Sequence, residues 1–200
     1  MSDGDLAGTR GGTNSVISHL LASIEVLQAA AVSFNDDRVD RAIQLMVGAL
    51  RPDLPLLVCG NGGSAADAQH ITGELVGRFL KERRALNAIC LSANTAVLTA
   101  WANDYNYDDV FARQVEAHGR SGGLLLAIST SGNSANVVRA AVAARRLGLS
   151  IVSLTGEGGG ELASHSDVLL DVPSAKTPFI QQVHICLYHH ICEQVEALLA

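Results

Sequence analysis

The sequence predicts a three-layer α/β sandwich, a five-stranded parallel sheet covered by helices on both faces, with a helical extension at its N-terminus. Three observations carry this prediction. Five short apolar runs recur after residue 50, most of them are separated by segments of helical period, and residues 14–50 are helical in period before the first run begins. Runs that are apolar throughout, rather than alternating with polar residues, belong to parallel strands buried on both faces.

In order along the chain, residues 1–12 read as a frayed tail. Val16, Leu20, Leu21, Ile24 and Leu27, then Val39, Ile43, Met46 and Val47, recur at helical spacing, and Ser33-Phe34-Asn35-Asp36-Asp37 interrupts them with capping residues. Two helices follow from this. Pro52 and Pro55 mark the change of period. LPLLVCG (54–60) is the first strand and Ser64–Phe79 the helix after it. NAICL (87–91) leads to helices over 94–102 and 108–118, and GLLLAIST (123–130) to a helix over 133–147. LSIVSLTG (149–156) and DVLLDV (167–172) complete the sheet, and a last helix runs from Thr177. Residues 1–50 are thus expected to form a tail and helices outside the sheet domain of residues 51–200, and 200 residues suit one such domain.

Composition excludes several classes. With 48% hydrophobic and only 17% charged residues the chain is not a disordered one. A net charge of −6 without any basic block disfavours nucleic acid, whose backbone needs clustered Lys and Arg. The longest uncharged runs contain Gly, Ser and Asn, unlike a membrane span, so no membrane partner is expected. MSDGDLAGTRGGTN has neither the basic start nor the apolar centre of a signal peptide, and a cytoplasmic location is the expectation. Cys59, Cys90, Cys186 and Cys192 form no CxxC pair, and Cys59 and Cys90 read as small buried hydrophobes.

In a parallel sheet ligands bind beyond the carboxyl ends of the strands, and two loops there are unusual. Gly60-Asn61-Gly62-Gly63-Ser64 follows the first strand directly. Its glycines let the backbone approach a ligand, and the next helix aims free N–H groups at the same point. A dinucleotide fingerprint would need an acidic residue ending the second strand, where Leu91-Ser92 stands, and a P-loop would need a lysine after the glycines. A tight strand-to-helix turn explains the loop equally well. Ser129-Thr130-Ser131-Gly132-Asn133-Ser134 supplies four hydroxyls and a helix N-terminus without a full positive charge. That suits a phosphate monoester held by neutral donors and a helix dipole, and exceeds what an ordinary N-cap requires.

Two helices carry residues of metal-ligand type. His70 and Glu74 are four apart and share a helix face, an arrangement that a surface hydrogen-bonded pair also has. The last helix reads QQVHICLYHH over 181–190, with Gln181 and His189 eight apart on neighbouring sides of one stripe. His184, three residues after Gln181, competes for any ligand role, while structural histidine is the plainer reading of His184 and His190.

Together these segments resemble the sedoheptulose 7-phosphate isomerase family, also called phosphoheptose isomerase. The resemblance spans nearly the whole chain and rests on GNGGSAADAQH (60–70) with Glu74, AND (102–104), DVFARQVEA (109–117), STSGNSAN (129–136) and IQ…H ending at His189. It implies the sugar-isomerase (SIS) fold, a flavodoxin-like sandwich. It also implies aldose–ketose isomerisation of D-sedoheptulose 7-phosphate to D-glycero-D-manno-heptose 7-phosphate through an enediol. Metal ligands are implied at His70, Glu74, Gln181 and His189, holding one zinc ion per subunit. Substrate contacts are implied at Asn61, Gly62, Gly63, Glu74, Asn103, Asp104, Ser129, Thr130, Ser131, Ser134 and Gln181. The resemblance further implies a homotetramer with N-terminal helices in the assembly and active sites between subunits. One departure is Phe179, where the family usually shows arginine.

Isomerisation needs a base beside the carbonyl and an acid to complete the transfer, for which Glu74 and His189 are the expected catalytic pair. Two rivals stand beside this reading. A non-catalytic SIS protein of the replication-initiator-associating type would share the glycine loop but is expected to lack the full ligand set. An SIS isomerase of another sugar phosphate would share the fold, because function resides in the site.

Overall fold

In the computed structural model, which describes residues 15–34 and 36–200, the five apolar runs become β1 (Leu56–Gly60), β2 (Ala88–Cys90), β3 (Leu124–Ser129), β4 (Ser150–Thr155) and β5 (Val168–Asp171). The expected tail over residues 1–12 lies outside the described residues. The helices are α1 (Val16–Ser33), α2 (Asp36–Leu50), α3 (Gly63–Val76), α4 (Thr95–Asp104), α5 (Val110–His118), α6 (Ala135–Arg146) and α7 (Thr177–Leu199).

All strand pairs are parallel and the sheet order is β2-β1-β3-β4-β5. β1 and β3 are buried at every position, as central strands covered on both faces must be. Successive side chains serve opposite layers. Leu56, Val58, Leu124 and Leu126 pack with α2, α3 and α7, whereas Leu57, Cys59, Leu125 and Ala127 pack with α5 and α6. Val39, Ile43, Met46 and Leu50 place α2 in the first of these layers. α1 lies outside both layers, where Leu27 and Ala30 meet Ile180 and Val183 of α7. Its other face exposes Val16, Ile17, Leu20, Leu21 and Ile24. Among the described residues α1 is the single helix long and apolar enough to cross a membrane by length and composition.

The helix expected over Ser64–Phe79 stops at Val76, for an electrostatic reason. The Glu196 carboxylate on α7 accepts the backbone N–H groups of Phe79 (2.9 Å), Leu80 (2.6 Å) and Lys81 (2.7 Å). Arg83 lies 3.3 Å from the same carboxylate, both side chains are 1% exposed, and its guanidinium donates to the carbonyls of Glu74 and Gly77. Burial alone would raise the Glu196 pKa, but the three N–H groups and Arg83 hold it below the ordinary value. One buried ion pair thus ties the end of α3 to α7.

His184 on α7 points into the core and donates through Nε2 to the Thr155 carbonyl at the end of β4, 3.0 Å away. Burial presses its pKa from 6.5 down to about 4.

Two predictions follow from these buried groups. Removing Glu196 unpairs a buried guanidinium and three N–H groups, so Glu196→Ala is expected to lower the unfolding free energy in urea by about 3–5 kcal/mol. A loss below about 1 kcal/mol would show that the pair holds nothing together. His184 contributes stability fully above pH 6.5, and loses it as the pH falls toward 4, because the unfolded state takes up the proton first. That window is worth about 3 kcal/mol. His184→Gln keeps the donor to Thr155 and cannot be protonated, so its urea stability should fall less steeply between pH 6.5 and 4. A curve parallel to that of the unaltered protein would contradict this account.

Candidate functional site

The winding of the sheet reverses between β1 and β3, and the loops leaving these two strands face each other across the crevice that results. A cavity of about 190 Å³ lies there, lined by Asn61, Gly63, Ser64, Ile128, Ser129, Thr130, Ser134, Thr177 and Gln181. No charged side chain lines it. Its lining instead takes in the first residues of α3 and α7 and the N-cap of α6. None of these three helices has a side-chain cap, whereas Ser15 caps α1 and Asn94 caps α4. Free N–H groups at the starts of α3 and α6, the Thr177 N–H of α7 (whose next residue, Pro178, has none) and three positive dipole ends therefore converge on one small polar cavity.

The hydroxyl loop borders the same cavity. Ser129 Oγ lies 3.0 Å from Ser134 Oγ and 3.5 Å from Ser131 Oγ, and Ser131 Oγ accepts from the Asn133 N–H at 3.1 Å. Thr130 Oγ1 is 3.4 Å from Thr177 Oγ1, joining β3 to the start of α7. Gly132, at φ 67°, lets the loop pass against the Gly159 carbonyl, where any side chain would collide. Ser131 shapes the loop without lining the cavity. Across the crevice Asn61 and Asn136 exchange amide hydrogen bonds of 2.8 and 2.9 Å, and the Tyr107 hydroxyl donates to Asn61 Oδ1 at 3.2 Å. Gly62 caps α3 at φ 54° and also stays outside the lining.

α3 and α7 run side by side in the same direction. Near their starts a Cβ on Gly63 would collide with the Gln181 amide, and seven or eight residues on, His70 meets His189. There His70 Nε2 lies 3.0 Å from Glu74 Oε1 and 3.5 Å from His189 Nε2, and one ligand atom from each of the three residues falls within 4.8 Å of the others. Two imidazole nitrogens and a carboxylate in this small volume form a donor set suited to a divalent transition metal. Phe79 packs its ring 5.7 Å from that of His189 and Tyr188 crosses both histidines edge-on.

The structure brings together three of the four expected ligands. Gln181 stands about 12 Å of axial rise before His189, with its amide at the cavity end of the helix pair. His184 is removed from contention by its bond to the Thr155 carbonyl, and His190 lines an apolar hollow behind α1. Asn103 and Asp104 end α4, where they bond to each other at 2.9 Å in solvent and do not line the cavity. Phe179 faces α1, its ring 5.2 Å from that of His19, and does not line the cavity. Cys59 and Cys192 are buried thiols pushed up to about 12, which removes them as nucleophiles.

Sequence reasoning missed Ser64, Asn136, Thr177, Asp67 and Tyr188. Asn136 lies inside the quoted STSGNSAN run, Asp67 precedes His70 by one helical turn, and Tyr188 adjoins His189. Only Thr177 gave no signal beyond starting a helix.

Comparison with known proteins agrees with this architecture. Residues 19–156 match the SIS domain family. Phosphoheptose isomerase of Rhodospirillum rubrum is 52% identical over 161 residues, covering 80% of this chain and 86% of that one. The Neisseria meningitidis enzyme of the same name is 46% identical over 187 residues, 92% of this chain and 94% of that one. Among solved structures, phosphoheptose isomerase from Neisseria gonorrhoeae superposes with a TM-score of 0.85 at 42% identity over 91% of this chain and 97% of that one. The Francisella tularensis structure gives 0.87 at 35% identity over 91% and 96%. With the domain match, the superposition and this degree of identity in agreement, the chain belongs to the phosphoheptose isomerase family of SIS-domain proteins.

Proposed function

We propose that this sugar-phosphate isomerase interconverts D-sedoheptulose 7-phosphate and D-glycero-D-manno-heptose 7-phosphate, with the phosphate in the cavity and the carbonyl end at the histidine–glutamate cluster. The observation that carries the proposal is the convergence of three uncapped helix N-termini on the hydroxyl-lined cavity beside His70, Glu74 and His189. Backbone N–H groups with Ser129, Thr130, Ser134 and Thr177 hold a phosphate monoester without a formal cation, and fix the open-chain sugar in register. Gln181, at the cavity end of the α3–α7 pair, and Asn61, which lines the cavity beside Asn136, orient the hydroxyl groups.

His70, Glu74 and His189 would hold one divalent ion per subunit, zinc suiting the donor set; Gln181, the expected fourth ligand, stands at the cavity end of α7. When bound, the ion supplies Lewis-acid polarisation of the substrate carbonyl. Glu74 removes the proton from C1 of the ketose while O2 gains one, giving the enediol. His189 supplies the return transfer, in which O1 loses its proton and C2 gains one, giving the aldose with no net change in atoms. A protein that only binds sugar phosphates needs the cavity and not this cluster, and the cluster therefore favours the enzyme over the non-catalytic reading.

A cytoplasmic location belongs to the same reading. The assembly is a homotetramer built through the N-terminal helices, supported by the exposed apolar face of α1 and by apolar hollows of about 440 Å³ between α1, α2 and α7 and about 490 Å³ between α1 and α7.

The test is conversion of sedoheptulose 7-phosphate by the purified protein, followed by NMR with and without chelator and added zinc. Aldoheptose 7-phosphate is expected only with metal present. A folded, zinc-loaded protein that converts nothing would remove this substrate. Glu74→Gln is expected to lower kcat by about 10²–10⁴-fold with the fold intact, and substantial retained turnover would take Glu74 out of the base role.

A further inference from the structure

Behind the histidine–glutamate cluster lies a buried row of polar groups that the reaction itself does not use. The Tyr188 side chain is 1% exposed, and its hydroxyl sits 3.0 Å from His70 Nδ1 and 3.4 Å from Asp67 Oδ1. Asp67 is 7% exposed and lies one turn before His70 on α3, and its second oxygen, Oδ2, is buried without a hydrogen-bond partner. A buried carboxyl group with a single protein donor depends heavily on that donor.

The Tyr188 hydroxyl has one proton, so it can serve only one of its two neighbours as donor. If it donates to His70 Nδ1, the imidazole proton must sit on Nε2, where it points at Glu74 and blocks that nitrogen as a ligand. If it donates to Asp67, its oxygen is free to accept from an Nδ1–H, and Nε2 carries a lone pair facing Glu74 and His189. Only the second arrangement satisfies Asp67, and only the second lets His70 hold a cation.

We propose that Asp67, acting through the Tyr188 hydroxyl, is a positioning residue that holds His70 in the Nδ1–H tautomer and so presents the Nε2 lone pair to a divalent cation. The inference rests on the metal reading of the cluster given above. Tyr188 also stacks edge-on against His70 at 5.5 Å and His189 at 5.0 Å, so the same side chain sets both ring planes.

The test compares zinc affinity, by competition with a chromophoric chelator, and the visible spectrum of the cobalt-loaded protein. The proteins are the unaltered chain, Asp67→Ala, Asp67→Asn, Tyr188→Phe and the double variant Asp67→Ala/Tyr188→Phe. Asp67→Ala and Tyr188→Phe should each weaken zinc binding by about 10- to 100-fold and alter the cobalt spectrum. The double variant should be little worse than either, because the two residues act in series. Asp67→Asn, whose amide oxygen still accepts from Tyr188, should restore affinity to near that of the unaltered chain, which a role through charge alone would not. Circular dichroism and melting of the metal-free proteins establish that each is folded, and Tyr188→Phe, which keeps the ring, decides the matter if Asp67→Ala does not fold. Single variants that bind zinc as tightly as the unaltered chain, or an Asp67→Asn as weak as Asp67→Ala, would overturn the relay and leave the metal reading standing. Failure of the unaltered chain to bind zinc or cobalt would overturn both.

Discussion

The reversal of winding between β1 and β3 is the constraint on which the rest of the structure depends. With the order β2-β1-β3-β4-β5, the helices that follow β1 and β3 cover opposite faces of the sheet, so the loops leaving the two strands cannot close over each other. A crevice is left at their carboxyl ends. Because every strand is parallel, each following helix begins at that end, and α3 and α6 present their N-termini to the same opening. α7 begins beside them, with Thr130 and Thr177 marking the junction.

This geometry resolves an electrostatic problem that composition poses. A chain of net charge −6 is a poor long-range attractor for a phosphate. Short-range dipoles operate differently, since free N–H groups at a helix start act within the first turn and carry no counter-ion to displace. Leaving α3, α6 and α7 without side-chain caps costs each of them some intrinsic stability. The sheet and the apolar layers on either side hold the three ends in place, so the uncapped donors remain available to a ligand.

Beyond the cavity, α3 and α7 carry the histidine–glutamate cluster, which depends on a fixed axial register. Contacts at both ends of the pair maintain it: Gly63 against Gln181 at the cavity, and Glu196 with Arg83 and the backbone of residues 79–81 at the far end. His70, Glu74 and His189 lie between these two fastenings. A slip of one helical turn, about 5.4 Å, would separate a cluster whose ligand atoms lie within 4.8 Å. The buried ion pair therefore bears on the site although it touches no reacting atom.

The sequence alone determined the parallel sheet, its five strands, the two loops at the strand ends and the helical residues His70, Glu74 and His189. Each of these is local, either an apolar run, a helical period or a cluster of glycines and hydroxyls within a few residues. The end of α3 was misjudged because the acceptor that claims residues 79–81 is Glu196, more than a hundred positions away. His184 and His189 were indistinguishable by spacing, and only packing buried the first against Thr155 while turning the second toward His70. The pairing of Asn61 with Asn136, the placement of Thr177 at the cavity and the Asp67–Tyr188–His70 row were likewise decided by tertiary structure. They join residues whose proximity depends on strand order and helix register, and no local pattern of side chains encodes either.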